Sequence, residues 1–339
     1  PGAGRSPTKA STPGLSMMKN NPKNFKVAIA YNDPEFDQRH AVLGLKSETS
    51  ILEAVYDVAS ALRKKDVSIQ YIPLQNSIPD FLYKLQSANA DVVFNLCESV
   101  NGDNTLEMNV PSLFELLHLP YTGSPPMTLG FCINKARVKT LLQANGIPTP
   151  GYQIFVTPPE TDMKFDLEFP VIVKPNQEDA SIGIDEKSVV PDKTRLWEQI
   201  NFIIRTYHQP ALVENYIDGR EFNVGVIGNG KNLEVLPVAE IEFKVPGNVP
   251  RILSYDAKWM EGSIRYKQTL PVCPAKISAE LAGKLARLAK QSFQILNCRD
   301  YARVDFRVDA EDRIFVLEVN PNPDISLSAG LARAVKTSG

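Results

Sequence analysis

The chain has 339 residues, 43% of them hydrophobic, and a formal net charge of −2. That length calls for two or three subdomains rather than one core, and the near-neutral charge lacks the basic footprint that nucleic-acid or anionic-membrane binding requires. No apolar run reaches the ~18 residues of a membrane-spanning helix. The four cysteines (Cys97, Cys132, Cys273, Cys298) and three histidines show no metal-ligand spacing, so reduced thiols in a cytoplasmic protein are expected.

Residues 1–23 open with the Pro/Gly/Ser/Thr-rich stretch PGAGRSPTKASTPGLS and are expected to be a leader or expression remnant without fixed structure. FKVAIAYND (25–33) predicts a buried strand. SILEAVYDVASALRKK predicts a helix, with Ile51, Leu52, Val55, Val58, Ala59 and Leu62 at helical spacing. VSIQYIPL and ADVVFNLCES predict two more strands, the second apolar on both faces as a central parallel strand is. This series predicts an open-sheet α/β domain over residues 24–125, with ligands at the C-terminal ends of its strands. PYTGSPP is its turn-rich exit.

Residues 127–146 read as helix, closed by NGIPTP. EFPVIVKPNQEDASIGI reads as a strand and a loop of small and acidic residues. ALVENYIDGREFNVGVIGNGKNLEVLPVAEIEF reads as strand, turn, strand, Asn-Gly hairpin and strand, and AELAGKLARLAKQSFQIL as helix. Strands and helices in blocks favour α+β architecture, divided into subdomains at 126–210 and 211–339. GVIGNGKN nearly fits the phosphate-loop pattern G-x-x-x-x-G-K, but Asn232 replaces the Ser/Thr, and Asn229-Gly230 lies between two strands. A type I′ hairpin explains it better.

YARVDFRV (301–308) and IFVLEVN (314–320) alternate strictly around the polar turn DAEDR. A turn centred between Glu311 and Asp312 pairs Val304 with Val319, Phe306 with Leu317 and Val308 with Phe315 on a core face. The opposite face then pairs Asp305 with Glu318 and Arg303 with Asn320. Two carboxylates ~5 Å apart repel by about 3 kcal/mol at an effective dielectric near 20. A dication converts that cost to attraction, and Asp, Glu and an Asn carbonyl are the hard oxygen donors that Mg²⁺ or Mn²⁺ accepts beside phosphate. The alternative is a solvated face on which Arg303 neutralises one acid. Spacing does not choose between them.

Phosphate needs further cations. Lys174 ends the strand FPVIVK, Lys135 lies early in INKARVKTLL and Lys258 sits in YDAKW; each taken alone reads more readily as a solvated lysine. Ala180, Ser181 and Gly183 follow Lys174 in a loop able to fold N–H groups over a phosphate. Backbone groups just after Glu214 could read an adenine edge and Glu221 could accept ribose hydroxyls, against the plainer reading of a surface hairpin.

PYTGSPPMTLGFCINKARVKTLLQANGIPTP, FPVIVKP, LVENYIDGRE, YDAKW and RVDF…LEVNPNP, taken in order, resemble the ATP-grasp ligases, most closely the D-alanine–D-alanine ligase branch, over roughly residues 90–330. The resemblance implies an N-terminal α/β open-sheet domain followed by two α+β ATP-grasp subdomains holding ATP between them. It places Lys135 and Lys174 on the ATP phosphates and Lys258 on a loop closing over them. It sets Glu214, Asn215, Tyr216, Ile217 and Glu221 around adenine and ribose. Asp305, Glu318 and Asn320 would hold two Mg²⁺ (or Mn²⁺) ions, Arg303 would face an oxyanion, and Ser181 would lie on the phosphate-covering loop. A substrate carboxylate then attacks the γ-phosphate, and an amine attacks the resulting acyl phosphate to leave an amide, ADP and phosphate. Loops at 176–183 and 254–262 are expected to close and exclude water. Family members are often dimers, so a homodimer is possible.

The departures cluster where substrates bind. AYNDPEFD replaces the family's glycine-rich opening, and Glu48 or Glu53 could supply its acid. Glu98 stands near the place of the family histidine. The family's Asn-x-x-Pro-Gly becomes Asn320-Pro321-Asn322-Pro323-Asp324, with Asp324 where a glycine N–H helps form the oxyanion hole. Trp259 replaces a tyrosine. Glu48, Glu98, Asp324 and Ser326 are therefore the candidate substrate contacts, and an acid in that pocket suits a cationic or amine-bearing substrate rather than two D-alanines. The chain also ends at LARAVKTSG, earlier than the family usually does, so the last helix is expected to be short. The competing reading is a nucleotide-binding protein without catalysis, in a regulatory or scaffold role, which would have no need of Arg303 beside the metal site. An ordinary dinucleotide-binding enzyme is disfavoured, since no G-x-G-x-x-G follows the first strand.

Overall fold

The computed structural model describes residues 25–36, 49–158 and 164–339; the expected leader and Glu48 lie outside them. β1 (Lys26–Asn32), α1 (Thr49–Arg63), β2 (Ser68–Leu74), α2 (Ile78–Ser87), β3 (Val92–Leu96) and α3 (Asn109–Leu116) form the first unit, whose parallel sheet has the order β2-β1-β3. Its centre is β1. Ala28 and Ala30 pack with Phe81 and Phe114 on one face, and Val27 and Ile29 with Val55 and Ala59 on the other. The strand expected at the centre, β3, is covered on its outer side by residues 120–122, since Val93 donates to the Pro120 carbonyl and accepts from the Thr122 N–H. That short bridge hides an apolar strand at an edge. Leu52, placed by periodicity on the buried face of α1, is exposed.

The helix expected over 127–146 is two helices, α4 (Pro126–Cys132) and α5 (Lys135–Ala144). They break at Asn134, whose side chain accepts from the Arg137 N–H and caps α5. The central sheet contains β4 (Tyr152–Phe155), β5 (Val171–Pro175), β6 (Val189–Val190) and β7 (Ala211–Asn215) in the order β4-β7-β5-β6. α6 (Lys193–Tyr207) backs it, burying Leu196, Ile200 and Ile203 against Val171 and Val173.

The largest sheet runs β11-β10-β8-β12-β13, with β9 beside β8. Its strands are β8 (Arg220–Ile227), β9 (Glu234–Val235), β10 (Ala239–Phe243), β11 (Thr269–Val272), β12 (Tyr301–Val308) and β13 (Ile314–Asn320). Short helices α7 (Tyr255–Trp259) and α8 (Ile264–Gln268) interrupt the β10–β11 connection; α9 (Ala279–Ile295) covers the sheet, and α10 (Gly330–Ser338) ends the described chain. Two expected boundaries move. β7 belongs to the central sheet, so the chain crosses to the large one after Asn215 rather than at 210/211. Residues 126–147 send Cys132, Val138, Leu142 and Ile147 into the core under β8 and β12, not into the central unit. Among the described residues no helix is long and apolar enough to cross a membrane.

Two turn expectations are corrected. Gly228 and Gly230 take φ of +97° and +56°, but Asn229 does not become positive, so the type I′ pair is absent. Asn229 instead exchanges hydrogen bonds with Asp300, through its Nδ2 to Oδ1 at 2.7 Å and the Asp300 N–H to its Oδ1 at 3.0 Å. In the β12–β13 hairpin the expected register holds at Arg303–Asn320, Val304–Val319 and Asp305–Glu318. Beyond these, Phe306 pairs with Val316, Arg307 with Phe315 and Val308 with Ile314. Asp309 organises a five-residue turn by accepting from the Glu311 and Arg313 N–H groups, and that turn sets the slipped pairing. A bulge at Leu317 reconciles the two registers. Ile314 and Val316, not Phe315 and Leu317, therefore fill the core.

Candidate active site

Two adjoining cavities lie among the three units. One is lined by Lys174, Ser181, Glu214, Asn215, Tyr216, Ile217 and Glu221 together with Asp305. The other is lined by Glu98, Glu107, Lys135, Asp179 and Asp324. Lys258, Arg303, Glu318 and Asn320 line both and mark the junction.

The hairpin builds that junction. Asp305 and Glu318 are direct partners on β12 and β13, and Arg303 faces Asn320 two residues along. Arg303 donates from Nε and NH2 to the two oxygens of Asp305, each at 2.8 Å, as the solvated-face alternative anticipated. Burial opposes the Arg303 charge, but Asp305 outweighs it and raises its pKa. Asp305 Oδ1 also accepts from Asn223 Nδ2 at 2.7 Å. Burial likewise opposes the charge of Glu318, yet Lys135, Lys174, Arg303 and Lys258 hold its carboxyl at about 2. The set still fits a hard dication. A carboxylate has about four lone-pair sites, so Asp305 retains one on Oδ2. Asn320 Oδ1 is oriented by the Asn322 N–H at 2.9 Å and keeps a second lone pair. Glu318 Oε2 lies 3.5 Å from Lys135 Nζ.

Lysines surround these carboxylates. Lys135 opens α5, where Asn176 fixes the helix start by accepting from the Lys135 and Ala136 N–H groups. Its Nζ contacts the Glu178 carbonyl, Asp179 Oδ1 at 3.3 Å and Glu318. Burial disfavours the charge, but Asp179 and Glu318 raise its pKa. Lys174 lies diagonally across the β5–β7 pair from Glu214, with Nζ 2.7 Å from Oε2. Lys258, on α7, has its pKa lowered by burial and then by Arg303.

Two loops cover the junction. In the 176–184 loop, Ala180 and Ser181 take left-handed φ of +55° and +62°, which costs about 1–3 kcal/mol each for residues with a side chain. The 254–265 segment holds that shape. Trp259 Nε1 donates to the Ala180 carbonyl at 2.9 Å, the Tyr255 N–H to the Ile184 carbonyl at 3.0 Å, and Arg265 Nε lies 2.9 Å from Glu186. The Lys258 Nζ stands 5.0 Å over the Trp259 ring.

Ile172, Ile252 and Leu317 supply apolar walls of the first cavity. The bulge is what turns Leu317 to this side next to Glu318. The Asn215 and Tyr216 N–H groups donate to the Gly151 and Pro170 carbonyls, so a base edge would find its donor at Ile217. Glu214 does not face a base freely; its carboxylate is held between Lys139 and Lys174, each at 2.7 Å. Glu221 is paired with Arg307 at 2.8 Å.

In the second cavity, Glu98 donates its N–H to Asn32 Oδ1 at 2.7 Å. Asp324 accepts from the Ser326 N–H at 2.8 Å. Ser326 itself is fully buried, its hydroxyl 3.2 Å from that of Ser328, so its expected substrate contact is corrected to a structural role in this loop. Glu53 lies on the exposed side of α1, away from both cavities. Sequence reading missed Glu107, Lys139 and Arg307. Burial pushes the Glu107 carboxyl up, and Asn322 Nδ2 donates to it at 2.8 Å. Lys139 carried a usable signal, since it follows Lys135 by four residues on one helix face. Arg307 also carried one, since strand alternation puts it on the face of Arg303 and Asp305; Glu107 carried none beyond its charge.

Among known proteins, the family model described as D-ala D-ala ligase C-terminus matches residues 141–339. A protein of Carboxydothermus hydrogenoformans named D-alanine–D-alanine ligase is 31% identical over 305 residues, covering 87% of this chain and 91% of its own. An uncharacterized protein, y4sG, of Sinorhizobium fredii is 39% identical over 248 residues, covering 73% of this chain and 70% of its own. The solved structure of D-alanine–D-alanine ligase from Bacillus anthracis complexed with ATP has a TM-score of 0.72 at 21% identity, over 93% of this chain and 92% of that one; at that identity the likeness is one of fold. The chain belongs to the D-alanine–D-alanine ligase family of ATP-grasp enzymes, ADP-forming ligases that use ATP and Mg²⁺ to make a C–N bond.

Proposed function

We propose that this chain activates a substrate carboxylate with ATP as an acyl phosphate and transfers the acyl group to an amine. The observation that carries this is the shared wall of the two cavities: Lys258, Arg303, Glu318 and Asn320 face both. ATP would lie in the first cavity, its base among Ile172, Leu317 and Ile217 and its phosphates toward Lys135, Lys174 and Lys258. A divalent ion held by Asp305, Glu318 and Asn320 would neutralise phosphate charge. Lys135 and Lys258 hold the transferring phosphoryl group in place, and positioning of this kind is most of the catalysis in phosphoryl transfer. Arg303 serves the oxyanion that forms when the amine adds to the acyl group, a role worth about 3–4 kcal/mol for one donor. The Trp259-tied loops keep water from the acyl phosphate.

The second cavity supplies the substrate. Glu98 and Asp324 line it, which supports an amine-bearing or cationic amino acid in place of a small apolar one. Incubation with Mg·ATP and a panel of amino acids and amines, followed by mass detection, is expected to give ADP, phosphate and an amide. Basic or amine-bearing members should react best. A strict preference for D-alanine would sink the substrate class, while ATP binding with no amide from any pair would favour the non-catalytic reading.

A further inference from the structure

Lys139 is 1% exposed and lines neither cavity. Its Nζ stands 2.7 Å from Glu214 Oε1, and the other oxygen of that carboxylate stands 2.7 Å from Lys174 Nζ. The Glu214 side chain is 1% exposed and that of Lys174 8%. One carboxylate is thus shared between an ammonium facing the nucleotide cavity and another behind it. Stability does not account for the hidden one. Burying an ion costs several kcal/mol, and an apolar residue of similar volume in such a place is often neutral or stabilising. Val138 and Leu142, on the same helix, already pack into an apolar core. What Lys139 changes is the charge presented to the cavity. A lone Lys174–Glu214 pair is neutral, and phosphate would compete with a whole carboxylate for Lys174. With Lys139 the trio carries a net positive charge. We propose that Lys139 is a positioning residue for nucleotide binding, compensating Glu214 from behind so that the Lys174 ammonium is available to phosphate. This rests on the nucleotide reading of the cavity given above.

The charged groups facing Lys139 are Glu214 from β7, Lys174 from β5 and Glu318 from β13. Burial, against Glu214, lowers its pKa to about 8. A bound polyphosphate favours the charged form. Above that pH, nucleotide binding takes up a proton, and affinity falls as pH rises, by at most about tenfold per pH unit for one linked proton. A purely structural lysine would show only the opposite trend. Its folded pKa lies below the unfolded value of about 10.4, so between the two the unfolded chain binds more protons and stability rises with pH.

The test is titration calorimetry of the full chain with Mg²⁺ and the β,γ-imido analogue of ATP, at pH 6.5 and 8.8, in buffers of different ionisation enthalpy. Wild type is expected to take up protons at pH 8.8 more than at 6.5. Lys139→Met should weaken binding about tenfold at pH 6.5 and lose the part of the uptake due to Lys139. Lys139→Arg, which keeps the charge without titrating, should bind as wild type at pH 6.5 and lose the same part. Lys258 is present in all three proteins, so the differences isolate Lys139. Equal affinity and equal uptake in wild type and whichever variant folds would overturn the proposal. An analogue that fails to bind wild type at either pH would overturn the nucleotide reading itself, and this proposal with it.

Discussion

Arg303 and Asp305 are two residues apart on β12, so their side chains share a face, and the guanidinium clasps the carboxylate through two 2.8 Å bonds. That clasp removes the repulsion between Asp305 and Glu318 that would otherwise burden the hairpin. It also means that Arg303 and a divalent ion draw on the same carboxylate, with one lone pair of Oδ2 left over. The two roles proposed for these residues therefore separate by mutation. Arg303→Met should lower turnover by about 10²–10³-fold, the loss of one oxyanion donor. Because it frees Asp305, it should leave Mn²⁺ binding unchanged or tighter. Mn²⁺ titration beside a phosphate-release assay checks this; weaker Mn²⁺ binding in the variant would show that the guanidinium supports the ion site instead of competing with it.

The elements matter through their irregularities. The Leu317 bulge joins a register set by the Asp309 turn to one set by the Asp305–Glu318 pair, and so puts an apolar and an acidic residue next to each other on the cavity side. The 176–184 loop is held in left-handed conformations that its own residues disfavour, and the tie from α7 holds it there. Trp259→Phe keeps the ring beneath Lys258 and deletes the N–H. It is expected to speed hydrogen exchange in residues 176–184 and to raise the ratio of phosphate released to amide formed several-fold, since an opened loop admits water to the acyl phosphate. Unchanged exchange in that loop would mean that the Tyr255 and Arg265 contacts suffice.

Across the whole molecule, the Asn322 side-chain amide ties the N-terminal unit to the segment that follows the β12–β13 hairpin. Asn322 Nδ2 donates to the Cys97 carbonyl at 3.1 Å and to Glu107 at 2.8 Å, while its own N–H orients Asn320. Asn322→Ala would leave two buried acceptors without a donor, at a cost of about 1–3 kcal/mol. Thermal unfolding is expected about 2–4 °C lower or more. Because the tie ends at Asn320, ion affinity should fall with it. A lowered melting temperature with intact Mn²⁺ binding would confine Asn322 to domain docking.

Strand alternation over a few residues made Asp305, Glu318 and Asn320 readable as one face of a hairpin, because side-chain direction in a strand is a local property. Lys135 and Lys174 were readable as candidate cations for the same kind of reason, each standing at the start or end of a patterned element, whereas Lys258 stood in the short stretch YDAKW with no pattern around it. Local pattern did not choose between Ile314 and Phe315, or between Val316 and Leu317, for the core. All four are apolar, and a turn several residues away decides the register. Nor did it show that Glu214 is held between two lysines, that Ser326 is buried, that residues 126–147 pack under the large sheet, or that Lys139 stands behind the cavity. Those facts depend on which segments distant in the chain come together. The partner that a charged group takes there is set by burial and proximity, which spacing along the chain does not encode.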